Sequence, residues 1–239
     1  MIREISVLII TILFLGSCGD SVKEAIDSSP SPSEYQPLKI GSWYIYDVDS
    51  IVYSGLIDQV TVDTIQFQLK EEITDTFTDQ AGNLNFRIER SKRFYNDSVA
   101  YISLDWQISD IWIITKKGQN IERVEENNRF ISLINPVKNG TIWDGNVFNF
   151  KESWDYNYTK LGEPFEDFGN TVTVNQYLDL INVFRYQRYE EVFAKDVGMI
   201  SRIRIDVESQ NYSDVTIPVL ERIEKGYQYF QLINSYYIP

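Results

Sequence analysis

Met199-Ile200-Ser201-Arg202-Ile203-Arg204-Ile205-Asp206-Val207 reads with a period of two. Met199, Ile203, Ile205 and Val207 share one phase, while Arg202, Arg204 and Asp206 take the other. Successive side chains of a strand point to opposite faces, so this stretch predicts a β-strand with one apolar face. Ala100, Ile102, Leu104, Trp106 and Ile108 repeat the rhythm against Ser103, Asp105 and Gln107. Val60 and Val62 share a phase, but Ile65, Phe67 and Leu69 take the opposite one, which predicts a β-bulge or turn near Asp63-Thr64.

The vocabulary agrees with strands along the chain. Thirty Ile and 18 Val stand against 4 Ala, and Tyr alone numbers 16. β-Branched and aromatic residues suit a pleated surface, whereas Ala is the best helix former. Further strands are predicted over 42–53, 85–95, 111–115, 120–124, 129–134, 147–158, 171–180, 183–194 and 217–233. Turns are predicted at Ala81-Gly82-Asn83, Tyr95-Asn96-Asp97-Ser98, Lys117-Gly118-Gln119-Asn120, Lys138-Asn139-Gly140 and Trp143-Asp144-Gly145-Asn146. Lys160 to Gly169 reads as the longest loop. No amphipathic helix and no βαβ rhythm is evident. The expected fold class is all-β: an antiparallel meander forming a twisted sheet, a partly open barrel or a sandwich. Charges in both phases, as in Arg87, Glu89, Arg90 and Lys92, argue against a membrane-spanning barrel.

The first residues read as an address. An apolar run from Ile5 to Leu15 is too short to span a bilayer and has the length of a signal-peptide core. It ends in Leu15-Gly16-Ser17-Cys18, which resembles the bacterial lipobox. That resemblance implies cleavage between Ser17 and Cys18 and lipid on the Cys18 thiol. The expected organisation is a signal peptide over 1–17, a lipidated cysteine and flexible tether over 18–36, and an antiparallel β-domain over 37–239. Ser28, Ser29, Pro30, Ser31, Pro32 and Ser33 give the tether its extended, solvated character. The expected location is the bacterial cell envelope, lipid-anchored, at the outer membrane.

Pro37-Leu38, Gly41, Tyr44, Tyr46, Val48, Asp49, Ser50, Ile51 and Tyr53 resemble the opening of a group of uncharacterised Bacteroidota lipoproteins. Those read Pro-Leu-x-x-Gly-x-x-Trp-x-Tyr-x-Val-Asp-Ser-Ile. Here Tyr44 stands where they have Trp, and Trp43 sits one place earlier. Glu191 to Ile200 resembles a second segment of theirs. The resemblance covers about a fifth of the chain; it implies an exported, lipid-anchored β-protein and carries over no catalytic residue. Asp49-Ser50-Ile51, Asp63-Thr64-Ile65 and Asp97-Ser98-Val99 match the O-glycosylation pattern of that phylum, with Ser98 best placed in a turn.

Composition narrows the chemistry. The chain of 239 residues has no His and one Cys, which removes imidazole catalysis, His-metal sites and internal disulfides. The net charge of −13 argues against nucleic acid as a partner. Asp47 and Asp49 share a strand face, and Glu71, Glu72, Asp75 and Asp79 cluster, yet both groups read as solvated carboxylates. Glu190-Glu191 beside Arg185 and Arg188 reads as cross-strand pairing on an exposed face. No catalytic residue, metal or cofactor is assigned. The aromatics Trp106, Trp112, Trp143, Trp154 and Tyr156 are the candidate ligand-binding residues. Tyr227, Tyr229, Phe230, Tyr236 and Tyr237 are expected on a last strand with both faces covered. Two roles follow: a noncatalytic binding or assembly module with a protein or glycan partner, or a carrier of a lipid or other apolar ligand in an open β-barrel. The membrane is the one partner common to both, through Cys18.

Overall fold

Alternation organises the molecule. In the computed structural model, which describes residues 29–56, 59–95, 100–179, 182–210 and 215–239, twelve antiparallel strands form one sheet. They are β1 (Trp43–Leu56), β2 (Gln59–Thr78), β3 (Leu84–Phe94), β4 (Gln107–Lys117), β5 (Asn120–Glu125), β6 (Asn128–Leu133), β7 (Ile142–Asp144), β8 (Asp155–Phe165), β9 (Phe168–Asp179), β10 (Arg185–Ala194), β11 (Gly198–Glu208) and β12 (Lys225–Tyr237). The spatial order is β6-β5-β4-β3-β2-β1-β12-β11-β10-β9-β8-β7. Two six-stranded meanders are thus joined where the first strand pairs with the last. The sheet curls into a barrel closed except for one seam, between β6 and β7.

Irregular bonds bridge that seam. Ile131 N donates to Gly145 O at 3.0 Å, and Trp143 Nε1 to Ile131 O at 2.8 Å. Asn149 Nδ2 reaches Arg129 O at 2.9 Å. The Tyr158 hydroxyl accepts from Ile134 N at 2.7 Å and donates to Ile134 O at 2.8 Å.

One end of the barrel is stoppered by the N-terminal segment. Helix α1 (Pro32–Tyr35) carries Tyr35 to full burial. Its Glu34 side chain accepts from Ser31 N at 2.8 Å and pairs with Lys195 at 2.9 Å. Glu34 O accepts from Asp196 N, Pro30 O from Val137 N, and Tyr35 donates to Asn170. This corrects the expected boundary at residue 37. The Ser-Pro run from residue 30 is packed, because Tyr35 offers a large apolar ring and proline presets the first helical turn.

Other expectations shift in place. Residues 101–103 form a 3₁₀ turn, so the alternation over 100–106 belongs to a connection, and β4 starts at Gln107. The strand predicted over 147–158 begins only at Asp155, since Asn146 and Asn149 bind nearby backbone groups and hold an irregular loop. The 217–233 prediction loses its front to a 3₁₀ turn at Val219–Glu221. Lys160–Gly169 is no loop: β8 and β9 run through it, with a tight turn at Glu166-Asp167. Positive φ at Lys160 and Gly162 accompanies two register skips there, so bulges absorb the apparent breakers. Nor is there a bulge at Asp63-Thr64, where β1 and β2 pair without interruption. The β1–β2 hairpin projects past the core, leaving Val62 52% and Ile65 48% exposed on opposite faces. Tyr236 and Tyr237 are exposed, so the last strand is not covered on both faces at its end.

Outer faces of β1 to β3 carry Asp47, Asp49, Gln66, Lys70, Glu72, Arg87, Glu89 and Arg93, a surface suited to water rather than lipid. On β11 the outward residues are Ile203, Ile205 and Val207. They pack with Tyr53, Tyr186, Phe230 and Val219 under the 219–221 turn. The charged phase of that strand therefore points inward.

Candidate functional site

A barrel of eight strands is just wide enough to be filled by its own side chains; twelve leave more room. Long side chains occupy it here. Tyr35, Tyr46, Leu69, Tyr158, Phe193 and Ile200 fill the stoppered end. Tyr46 donates across the interior to Met199 O at 3.0 Å. Next to them lies a network of charges. Arg123 Nη2 donates to Glu191 Oε1 at 2.6 Å, and its Nε contacts Glu125. Arg202 Nη2 is 2.9 Å from both Glu125 and Glu191. Arg204 Nη2 donates to Glu125 Oε2 at 2.9 Å. Arg90 binds Glu71 at 2.9 Å and reaches Asp110 at 3.5 Å.

Burial pushes the Glu125 and Glu191 carboxyls up, but the surrounding guanidinium groups outweigh it and hold both below the ordinary carboxylate value. Both are ionised at neutral pH. The space left inside is small: a cavity of about 20 Å³ beside Gln36, Tyr44, Glu71, Trp112 and Arg123 has room for roughly one water.

Beyond the network the barrel opens into a mouth. A cleft of about 130 Å³ is lined by Phe130 on β6, Tyr156 on β8, Gln176 on β9, Tyr189 on β10, Arg204 on β11 and Tyr227 on β12. Arg123, Glu125, Lys151 and Trp154 complete it. The Tyr189 and Tyr227 hydroxyls are 2.9 Å apart. Trp154 packs against Tyr177 and Tyr189, with ring centroids 4.7 and 4.8 Å away. Burial raises the Tyr156 and Tyr189 phenols above their ordinary value, so both remain protonated donors. On the far side of Trp154 lies a wider groove of about 440 Å³, lined by Asp155, Asn157, Asn175, Gln176 and Tyr177.

The five candidate aromatics are dispersed. Trp154 and Tyr156 line the mouth. Trp112 is buried in the interior, with the Arg90 guanidinium 3.5 Å from its ring centroid. Trp143 belongs to the seam and packs against Tyr158, with ring centroids 4.6 Å apart. Trp106 lies away from the mouth under the Arg93 guanidinium, 4.3 Å from its ring. Cys18, Ser17 and Ser98 fall outside the described residues.

Carboxylates also sort themselves. Asp47 accepts from Gln68 and Asn234, and Asp49 from Gln66, as cross-strand bonds on the outside. Glu71 turns inward to Arg90, Glu72 pairs with Lys70, and Asp79 binds its own turn. Among the described residues no three His, Cys, Asp or Glu side chains gather as a metal site. Glu191 corrects an expectation. Glu190 pairs with Arg188 and Arg185 with Asp206, but Glu191 is fully buried in the interior rather than on an exposed face. Arg204, Tyr189 and Tyr227 in the mouth were not among the expected site residues. The period-two alternation of Arg202 and Arg204 was the only signal for Arg204, and Tyr227 was read as part of the aromatic tail. No protein-family model, no curated protein and no solved structure matches this chain.

Proposed function

We propose that this protein is a noncatalytic binding module of the bacterial cell envelope, anchored through lipid on Cys18 at the outer membrane, and that the barrel mouth holds its ligand. One observation carries the binding role. Aromatic and cationic side chains from six strands converge at the mouth, above an interior occupied by large buried side chains. Ligand sites combine apolar walls with a few placed polar groups in this way. The interior charges weigh against the apolar-carrier reading, which needs a space lined by Ile, Val and Phe.

Anchoring at Cys18 also gives the mouth a direction. Pro30 follows Cys18 by 12 residues, at most about 40 Å of extended chain. Pro30 enters the stoppered end, so the mouth faces away from the bilayer.

Metabolic labelling with an alkyne fatty acid tests the anchor: the natural protein takes the label and Cys18→Ala does not. A photo-crosslinking residue at Tyr227, compared with one at Asp49 on the outer face, tests the mouth in living cells. Adducts confined to position 227 support it; equal labelling at both positions overturns it.

A further inference from the structure

The mouth's charge and shape select among ligands. The buried network holds Arg123, Arg202 and Arg204 against Glu125 and Glu191, which leaves one positive charge in excess next to the cleft. Arg90 faces both Glu71 and Asp110, which leaves one negative charge in excess deeper in the interior, and Asp206 beside Tyr189 is paired with Arg185, so the surplus positive charge is local to the cleft. Lys151 adds a second positive charge at the rim, with no ion pair among the described residues. Arg204 is partly exposed; its Nη2 is held by Glu125, and its Nη1 carries no hydrogen bond among the described residues. All this sits in a chain of net charge −13, so the cleft is a local cationic exception. A half-buried guanidinium and an ammonium lining one cleft can together receive a carboxylate.

Shape adds the rest. The cleft has the size of one six-membered ring, and Phe130, Tyr156, Tyr189 and Tyr227 give it apolar walls. The adjoining groove shares Trp154 and Gln176 with it and is lined by the amides of Asn157 and Asn175 and by the Asp155 carboxylate. Aromatic faces suit the C–H faces of a sugar ring, and amides suit its hydroxyls. A lone aromatic acid would fill the cleft and leave the groove unused.

We propose that the mouth binds an acidic oligosaccharide. The carboxylate of a uronic acid residue meets Arg204 and Lys151 in the cleft, and the neighbouring sugar lies along the Trp154–Asn175 groove. The proposal rests on the mouth being the binding site.

The test is calorimetric titration of the full chain, purified in mild detergent, with tetragalacturonate. Its carboxyl-reduced neutral counterpart and benzoate serve as comparison probes. Tetragalacturonate binds, the reduced tetrasaccharide binds at least about tenfold more weakly, and benzoate weakly or not at all. Lys151→Gln, on an exposed loop where folding is not at stake, lowers the affinity about fivefold to tenfold. Tyr227→Ala lowers it further. Equal binding of the charged and reduced tetrasaccharides overturns the carboxylate assignment. Benzoate binding as tight as the tetrasaccharide assigns the cleft to aromatic acids instead and overturns the sugar. Binding that ignores both Lys151→Gln and Tyr227→Ala places the saccharide elsewhere and overturns the mouth reading itself. Absence of tetragalacturonate binding overturns the proposal alone, since crosslinking at Tyr227 judges the mouth independently.

Discussion

Glu191 Oε1 receives two guanidinium groups, from Arg123 and Arg202, in a position sealed from solvent. Removing one partner of such a set strands a buried charge, which costs about 3–5 kcal/mol. Glu191→Ala is therefore expected to lower the unfolding free energy by about that amount in urea denaturation. Mutation of Glu190, partly buried on the outer face and paired with Arg188 alone, should cost less than Glu191→Ala. Acid should act on the same groups. The folded-state values of Glu125 and Glu191 lie below 4.5, so their contribution is complete above that pH and is lost as pH falls through the lowered values. Stability measured between pH 6 and 2 should fall below about 4.5, and less steeply in Glu191→Gln. Glu191 was illegible in the sequence for a physical reason: a charged residue on a strand reads as outward-facing. Only a barrel with room to spare makes the inside a place for charge.

At the scale of the element, period and face separate. Sequence alternation located β1, β3, β5, β6, β9, β10 and β11 to within a few residues. It could not say that β11 turns its isoleucines outward, because a second apolar cluster under the 219–221 turn receives them. Nor could Gly162 and Pro164 announce a bulged hairpin rather than a loop. Trp154 and Tyr156 were legible as candidate aromatics, and both line the mouth; Tyr189 and Tyr227 were indistinguishable from core tyrosines until β10 and β12 brought their hydroxyls together. Two elements make sharp expectations. A Cβ on Gly145 would lie 2.3 Å from the Tyr156 ring, which is buried and cannot yield. Gly145→Ala should destabilise by about 1–3 kcal/mol and weaken ligand binding at the mouth, read by denaturation and titration together. Tyr35 is the side chain that seats α1 in the barrel end. Tyr35→Ala should lower stability by about 3–5 kcal/mol and open the stoppered end to limited proteolysis near residue 30.

The whole molecule is two meanders, β1–β6 and β7–β12, held along one central pairing and one incomplete seam. The pairing joins Trp43–Tyr53 to Gly226–Tyr237. A chain ending at residue 224 should lose the single cooperative unfolding transition, because no continuous strand pairing then joins the halves, which keep only the irregular β6–β7 bonds, the α1 contacts and the interior Arg–Glu network. Circular dichroism and fluorescence melts, coincident in the full chain, should separate in the truncated one. That same pairing sets an order of events for a chain that emerges N-terminus first. β2 can cover one edge of β1 almost at once, but the other edge waits for β12, about 170 residues later. Until β12 is made, the nascent protein exposes a long strand edge ready to pair with any other chain. Its vulnerable interval therefore runs from the synthesis of β1 to that of β12, and a factor that shields this edge would have to act over that whole span rather than at one moment.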